Sequence, residues 1–174
     1  LIGFLGPIPA SQEEELKALG FDPNRDKVGY AGVETSLQEI LAGRNGLRVV
    51  QVDVAGQEIR NLEPPIPAVP GYNVYLTIDT RLQAAAQATL EEEIRYWNTY
   101  FGQIRISSGV IIAINPKTGE ILAMVSYPNY ENNRLARLIP AYYYLQLSED
   151  PNKPLLNHAI SAEIAPGSVF KMST

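Results

Sequence analysis

The chain has 174 residues, 45% of them hydrophobic and 19% charged, with 13 glycines, 13 prolines, one histidine and no cysteine. That length allows one or two domains with a real core, while a formal charge of −5 without any cluster of Lys and Arg argues against a nucleic-acid partner. Disulfide and thiol chemistry are excluded, and a lone histidine outside any His-Glu-x-x-His spacing speaks against a metal site, so no cofactor is expected.

Leu1 to Ala10 is apolar but interrupted by Pro7 and Pro9, and it is far shorter than the roughly 20 residues of a spanning helix. Ser11-Gln12-Glu13-Glu14 reads as a cap with acids in the first turn of a short helix running to Leu19 and stopped by Gly20. Val33 to Leu41 is expected to form a second short helix, ended by Gly43. Leu47 to Val54 and Glu58 to Leu62 flank the turn Ala55-Gly56-Gln57, the pattern of a hairpin. Pro64 to Gly71 holds four prolines in eight residues and reads as a linker.

Val74, Leu76 and Ile78 alternate with polar or amphipathic neighbours and predict a half-buried strand. Thr80-Arg81-Leu82-Gln83 has the pattern of a capping box. The long helix it opens carries Leu82, Ala86, Leu90, Ile94 and Trp97 as one apolar stripe, best explained by core packing. Val110 to Ile114 and Ile121 to Val125 are apolar on both faces, as central strands covered by helices would be. Between them, Asn115 to Gly119 predicts a tight turn. Tyr127 to Pro154 reads as a polar, irregular loop with Tyr142-Tyr143-Tyr144 in its middle, and packing explains that run better than substrate contact.

The chemistry sits at the end of the chain. After Pro166-Gly167, which breaks one element and lets another begin, Ser168 and Lys171 stand three apart. On a helix they share a face, so the lysine amine reaches the serine hydroxyl. Serine attacks only when a neighbouring base takes its proton, and lysine serves as that base only when its surroundings keep it neutral. The pair is a known alternative to a Ser-His-Asp triad. By itself the spacing is weak evidence, because two common residues often fall three apart and a helix cap followed by a solvated lysine shares the pattern.

The sequence before it decides between the two. Ser107 to Pro128, Leu156-Asn157-His158-Ala159-Ile160 and Pro166 to Lys171 together resemble the opening of the transpeptidase domain of penicillin-binding proteins. Gly29-Tyr30-Ala31-Gly32-Val33-Glu34, Leu41-Ala42-Gly43-Arg44-Asn45-Gly46 and Tyr72 through Gln83 resemble the pedestal and junction of the class B, monofunctional members. The resemblance implies an α+β fold: a mixed pedestal or dimerisation domain with its proline-rich linker over 1–70, then the N-terminal part of the transpeptidase domain over 71–174. That part would be an antiparallel sheet with helices on both faces, cut just after Ser-x-x-Lys.

The same resemblance implies a peptidoglycan D,D-transpeptidase that cross-links stem peptides through a serine acyl-enzyme and is inhibited by β-lactams. Ser168 would be the nucleophile, its N–H part of the oxyanion hole, and Lys171 the general base. It further implies a parent protein on the extracytoplasmic face of the bacterial cytoplasmic membrane, on its periplasmic or cell-wall side, held by an anchor absent from this chain. Partners through the pedestal would be a cell-wall glycosyltransferase or elongation and division proteins. The chain reads as trimmed at both ends, and the segment alone as inactive.

Family active sites combine Ser-x-x-Lys with later Ser-x-Asn and Lys-Thr-Gly motifs. Lys117-Thr118-Gly119 is set aside because it precedes the nucleophile and fills a turn, and the Tyr-x-Asn strings at Tyr96, Tyr127 and Tyr130 fail on the same order. His158, where an arginine often stands, reads as a partner for surface polar groups, Glu34 as structural, and Val169 as a replacement for threonine that leaves the chemistry intact. Two other functions share parts of this pattern: a serine β-lactamase or β-lactam sensor, and a non-catalytic structural module.

Overall fold

The computed structural model describes residues 1–136, 141–161 and 163, which divide into two compact units. One comprises Ile2–Tyr75 with a helix returning at Asn132–Ala136, and the other is built on Leu76–Glu131.

The first unit is made of short pieces. Strands β1 (Leu5–Pro7) and β2 (Lys27–Gly29) pair antiparallel with Gly6 opposite Val28. Phe4 and Val28 are buried there, and Phe4 stacks on Tyr30 at 5.6 Å. The Tyr30 hydroxyl donates to the Pro7 carbonyl at 2.8 Å. Between the strands, a 3-10 turn at Ala10–Gln12 precedes helix α1 (Glu13–Ala18), followed by Gly20 at φ +92°. Ser11 was expected to cap this helix; it lies inside the 3-10 turn, where Pro9 has already set the entry and no side chain caps.

The helix expected over Val33 to Leu41 is broken into α2 (Gly32–Ser36) and α3 (Gln38–Leu41) at Leu37, whose φ −116° and ψ 23° interrupt the spiral. Gln38 explains the break's position, because its side-chain carbonyl accepts the Gly29 N–H at 2.8 Å. Gly29 has a second constraint: a Cβ there would lie 2.2 Å from the Glu34 carbonyl carbon, so α2 crosses β2 where only glycine fits.

The expected hairpin forms as β3 (Val50–Val52) and β4 (Glu58–Asn61), with a register shift between Gln51 and Val52. Its turn is organised by Asp53, whose carboxylate accepts from the N–H groups of Ala55 and Gln57. The proline-rich stretch beyond it is no free linker. Ile66 exchanges backbone bonds with Leu47, and Val69 with Arg44, at 2.8–3.0 Å. Prolines lack an N–H, yet Ile66 and Val69, two of the four residues in the stretch that keep one, fall where the partner strand offers a carbonyl. The N–H of Tyr72 adds a bond to the carbonyl of Ile40. Helix α5 (Asn132–Ala136) closes this unit against β1 and buries Leu135 completely.

The second unit is a helix on a hairpin. Helix α4 (Thr80–Phe101) is capped not by Thr80 but by Asp79, whose carboxylate accepts from the N–H groups of Arg81 and Leu82. Aspartate outranks threonine as an N-cap, and it stands one residue earlier. Gly102, at φ 65°, ends the helix. Strands β5 (Gly109–Ile114) and β6 (Ile121–Tyr127) pair antiparallel with Ile112 opposite Met124 and a register shift after Ala113.

On the face toward α4, Ile94 is only 6% exposed, and Ala123 and Val125 are buried. The apolar stripe read from the sequence is half right. Ala86, Leu90 and Ile94 lie inward, but Leu82 and Trp97 are about 40% exposed. The ends of the buried face are taken instead by two amides. Gln83 donates to the Met124 carbonyl at 2.9 Å and accepts its N–H at 2.8 Å. Asn98 donates to the Ile106 carbonyl and accepts from the N–H groups of Arg105 and Ile106. Trp97 joins Tyr96, Tyr100 and Phe101 in an exposed aromatic cluster, with the Arg105 guanidinium 4.5 Å above the Phe101 ring.

The strand expected over Val74 to Ile78 joins no ladder. Its final residues bind the outer edge of β6 through single contacts, Thr77 Oγ1 to the Ile121 carbonyl and the Asp79 N–H to the Leu122 carbonyl. The expected irregular loop after Tyr127 contains both α5 and α6 (Ala141–Glu149), and Tyr142 to Tyr144 lie on α6. Tyr143 is held there, its hydroxyl accepting the Glu131 N–H at 3.2 Å. A last short helix, α7 (His158–Ser161), contacts both β5 and β6.

Candidate active site

Ser168 and Lys171 lie outside the described residues, so the described part of the site is the scaffold that leads to them. Its base is the β5–β6 hairpin. Asn115 organises the connecting turn: its side chain accepts the Lys117 N–H at 3.0 Å, and its carbonyl accepts the Gly119 N–H at 2.8 Å. Gly119 sits at φ 79° with open space where a Cβ would go, so its requirement is conformational and not steric. Thr118 donates to the Glu120 carboxylate at 2.8 Å. Lys117-Thr118-Gly119 is therefore a hairpin tip whose backbone geometry accounts for its residues.

Pleating sends alternate β6 side chains to opposite faces. Ala123 and Val125 face α4, while Met124 and Ser126 face away, on the side that carries Val110, Ile112 and Ile114 across the ladder. The expectation of helices on both faces is met. Among the described residues the second face receives the four-residue α7, and Ile112 and Ile114 remain 43% and 55% exposed.

The attachment of α7 is polar. The His158 N–H donates to Ser126 Oγ at 3.0 Å, and that hydroxyl points back to the Leu156 carbonyl at 3.5 Å. Asn157 caps the turn by accepting the Ala159 N–H at 3.1 Å, and its amide reaches the Met124 sulfur at 3.9 Å. The His158 ring meets the Asn152 carbonyl at 3.1 Å, a structural bond for the chain's one histidine.

The rejected Tyr-x-Asn string at Tyr96 has a local explanation. Asn98 is consumed by the backbone of Arg105 and Ile106, and burial pushes the Tyr130 phenol upward from its ordinary range. Glu34 contributes its backbone N–H to the Ile2 carbonyl at 3.0 Å. Among the described residues no group of His, Cys, Asp and Glu is placed to hold a metal ion, and no helix is long and apolar enough to cross a membrane.

Sequence reasoning missed these roles of Gln83, read as part of a capping box, of Asn98, set aside with its Tyr-x-Asn string, and of Ser126. The first two were signalled only by being amides on the inward side of an amphipathic helix. Ser126 was signalled by being a hydroxyl in an otherwise apolar strand.

Comparison with known proteins agrees along the chain. Residues 1–76 match the penicillin-binding protein dimerisation domain and residues 109–174 the penicillin-binding protein transpeptidase domain. The peptidoglycan D,D-transpeptidase MrdA of Escherichia coli is 30% identical over 98% of this chain, which spans about a quarter of that relative's length (25%). A chain from a peptidoglycan synthase complex superposes with a TM-score of 0.76 at 35% identity, covering 90% of this chain and 27% of that one. Penicillin-binding protein 2 of Helicobacter pylori, solved in complex with MreC, gives 0.72 at 26% identity over 99% of this chain and 29% of its own. With both domains of the family matched in order on one chain, and solved relatives sharing their fold, the chain belongs to the penicillin-binding proteins.

Proposed function

We propose that this chain carries the nucleophile and base of a peptidoglycan D,D-transpeptidase. The observation that supports this most is the position of Ser168 and Lys171 within the stretch matched to the transpeptidase domain, after a lead-in whose turn, strands and short helix all have structural reasons for their motifs. Ser168 Oγ attacks the carbonyl between the two D-alanines of a stem peptide and passes its proton to Lys171. The terminal D-alanine leaves with a proton, and an amine on a second strand resolves the ester. The Ser168 N–H supports the oxyanion. Lysine is neutral enough for this only where burial and a neighbouring cation disfavour its charge; that cation, and a second oxyanion donor, come from the later family motifs. β-Lactams acylate the same serine.

The domain division proposed is 1–70 for the pedestal with its proline-rich segment and 71–174 for the transpeptidase part. A protein of this kind works at the extracytoplasmic face of the cytoplasmic membrane, with its pedestal engaging a glycosyltransferase or other growth and division proteins. The dimerisation-domain match over residues 1–76 disfavours a free-standing β-lactamase.

The test is covalent labelling of the complete protein with a fluorescent penicillin. One label per molecule at Ser168, lost in a folded Ser168→Ala variant, is expected. Label persisting in that variant overturns the assignment.

A further inference from the structure

We propose that Ser126 is a positioning residue for acylation at Ser168, through the hydroxyl that ties the first turn of α7 to β6. This rests on the transpeptidase reading above. A four-residue helix cannot hold itself in water, so the place of α7 is set by what it is fastened to. Its first N–H, that of His158, has no partner within so short a helix, and Ser126 Oγ takes it at 3.0 Å while facing the Leu156 carbonyl on the other side of the Asn157 cap. One hydroxyl thus spans the point where the chain enters the helix.

What it fastens to is rigid. One edge of β6 is paired with β5 along its length. The other is held by Asp79 at the Leu122 carbonyl and by both ends of the Gln83 amide at Met124. Ser126 lies two residues further along the same strand. Ser161 closes α7, and Ser168 follows seven residues later, so the chain enters the reactive segment from an element whose described polar ties to β6 run through Ser126 and the weaker Asn157 to Met124 sulfur contact. A nucleophile works only when held near its attack geometry, which makes the Ser126 tie a determinant of rate and not of folding alone.

The experiment compares wild type, Ser126→Ala and Ser126→Thr in the complete protein. It measures the rate of labelling by fluorescent penicillin across concentrations, together with thermal unfolding. Ser126→Ala is expected to lower the limiting acylation rate by about tenfold, at temperatures well below its unfolding midpoint and with the half-saturating penicillin concentration unchanged. Ser126→Thr, which keeps the hydroxyl, restores the rate to within about twofold of wild type. A wild-type limiting rate in Ser126→Ala overturns the proposal, and so does equal slowing in both variants, because the hydroxyl is then not the cause.

Should Ser126→Ala fail to fold, Ser126→Cys replaces it, with a poorer donor and acceptor. An intermediate rate in Ser126→Cys supports the proposal and a wild-type rate overturns it. Ser168→Ala separates this inference from the one beneath it. Label retained in that variant removes the transpeptidase reading itself, whereas label confined to Ser168 with no effect at Ser126 removes only the positioning role.

Discussion

In Ile2–Tyr75, short strands and helices are joined by backbone bonds and by a close crossing at Gly29, with Phe4 and Val28 as its buried hydrophobic side chains. In Leu76–Glu131, one 22-residue helix lies along a hairpin and buries Ile94, Ala123 and Val125, with an amide at each end of the contact. The first region is sensitive to added atoms and the second to removed ones. Stitching short pieces together requires backbones to approach each other, and that leaves no room for a Cβ at the crossing. An amphipathic helix on a sheet draws its stability from side-chain burial, so it fails by cavity formation and by loss of the polar groups that align it.

The sharpest way to break this comparison is Gly29→Ala. With a Cβ 2.2–2.5 Å from the backbone of Glu34 and Thr35, the variant should lose about 4 kcal/mol or fail to fold, at the upper end for overpacking. Hydrogen exchange over residues 27–41 should show protection lost first there. Native exchange in that segment would mean the crossing can open without cost.

Ile94→Ala comes next. Removing the most buried side chain of α4 should cost about 3 kcal/mol, read as a lower unfolding midpoint with accelerated exchange in α4 and β6. A loss below about 1 kcal/mol would show that the site collapses to fill itself.

Gln83→Ala tests the amide. It strands the Met124 N–H and carbonyl at a partly buried strand edge, an expected cost of about 2 kcal/mol. Faster exchange of the Met124 amide is the direct readout. Unchanged exchange there would mean the pairing adds nothing to the edge.

The smallest effects belong to the hairpin tip. Gly119→Val should cost about 1 kcal/mol because a β-branched residue resists positive φ. Lys117→Ala should change stability by less than about 0.5 kcal/mol and leave penicillin acylation of the complete protein at the wild-type rate. A hundredfold loss of acylation in a folded Lys117→Ala protein would turn this turn residue into a catalytic one.

Local signals were read well wherever neighbours in sequence settle the outcome. The turn at Asn115–Gly119, the hairpin around Gly56, the long helix from Thr80 and the paired strands β5 and β6 all follow from spacing and turn chemistry. The readings that failed needed a distant partner. Pro64 to Gly71 looks like a linker until Arg44 and Leu47 supply the carbonyls and N–H groups that Ile66 and Val69 can use. Val74 to Ile78 looks like a strand, but its end meets the edge of β6 only through Thr77 and Asp79.

By itself, the sequence determined the family, because ordered motifs from Gly29 to Lys171 constrain identity without any coordinates. The chemistry proposed for Ser168 and Lys171 rests on that same resemblance and not on the three-residue spacing alone, which a helix cap followed by a solvated lysine shares. Tertiary structure alone decided which polar residues are structural. Gln83, Asn98 and Ser126 resemble surface residues until the strand edge, the loop and the helix end they satisfy are brought to them. The physical reason is that a backbone group demands a partner once it leaves water. Which side chain answers depends on folding partners as far as 41 residues away for Gln83 and Met124 and 44 for Thr77 and Ile121, distances no local pattern reports.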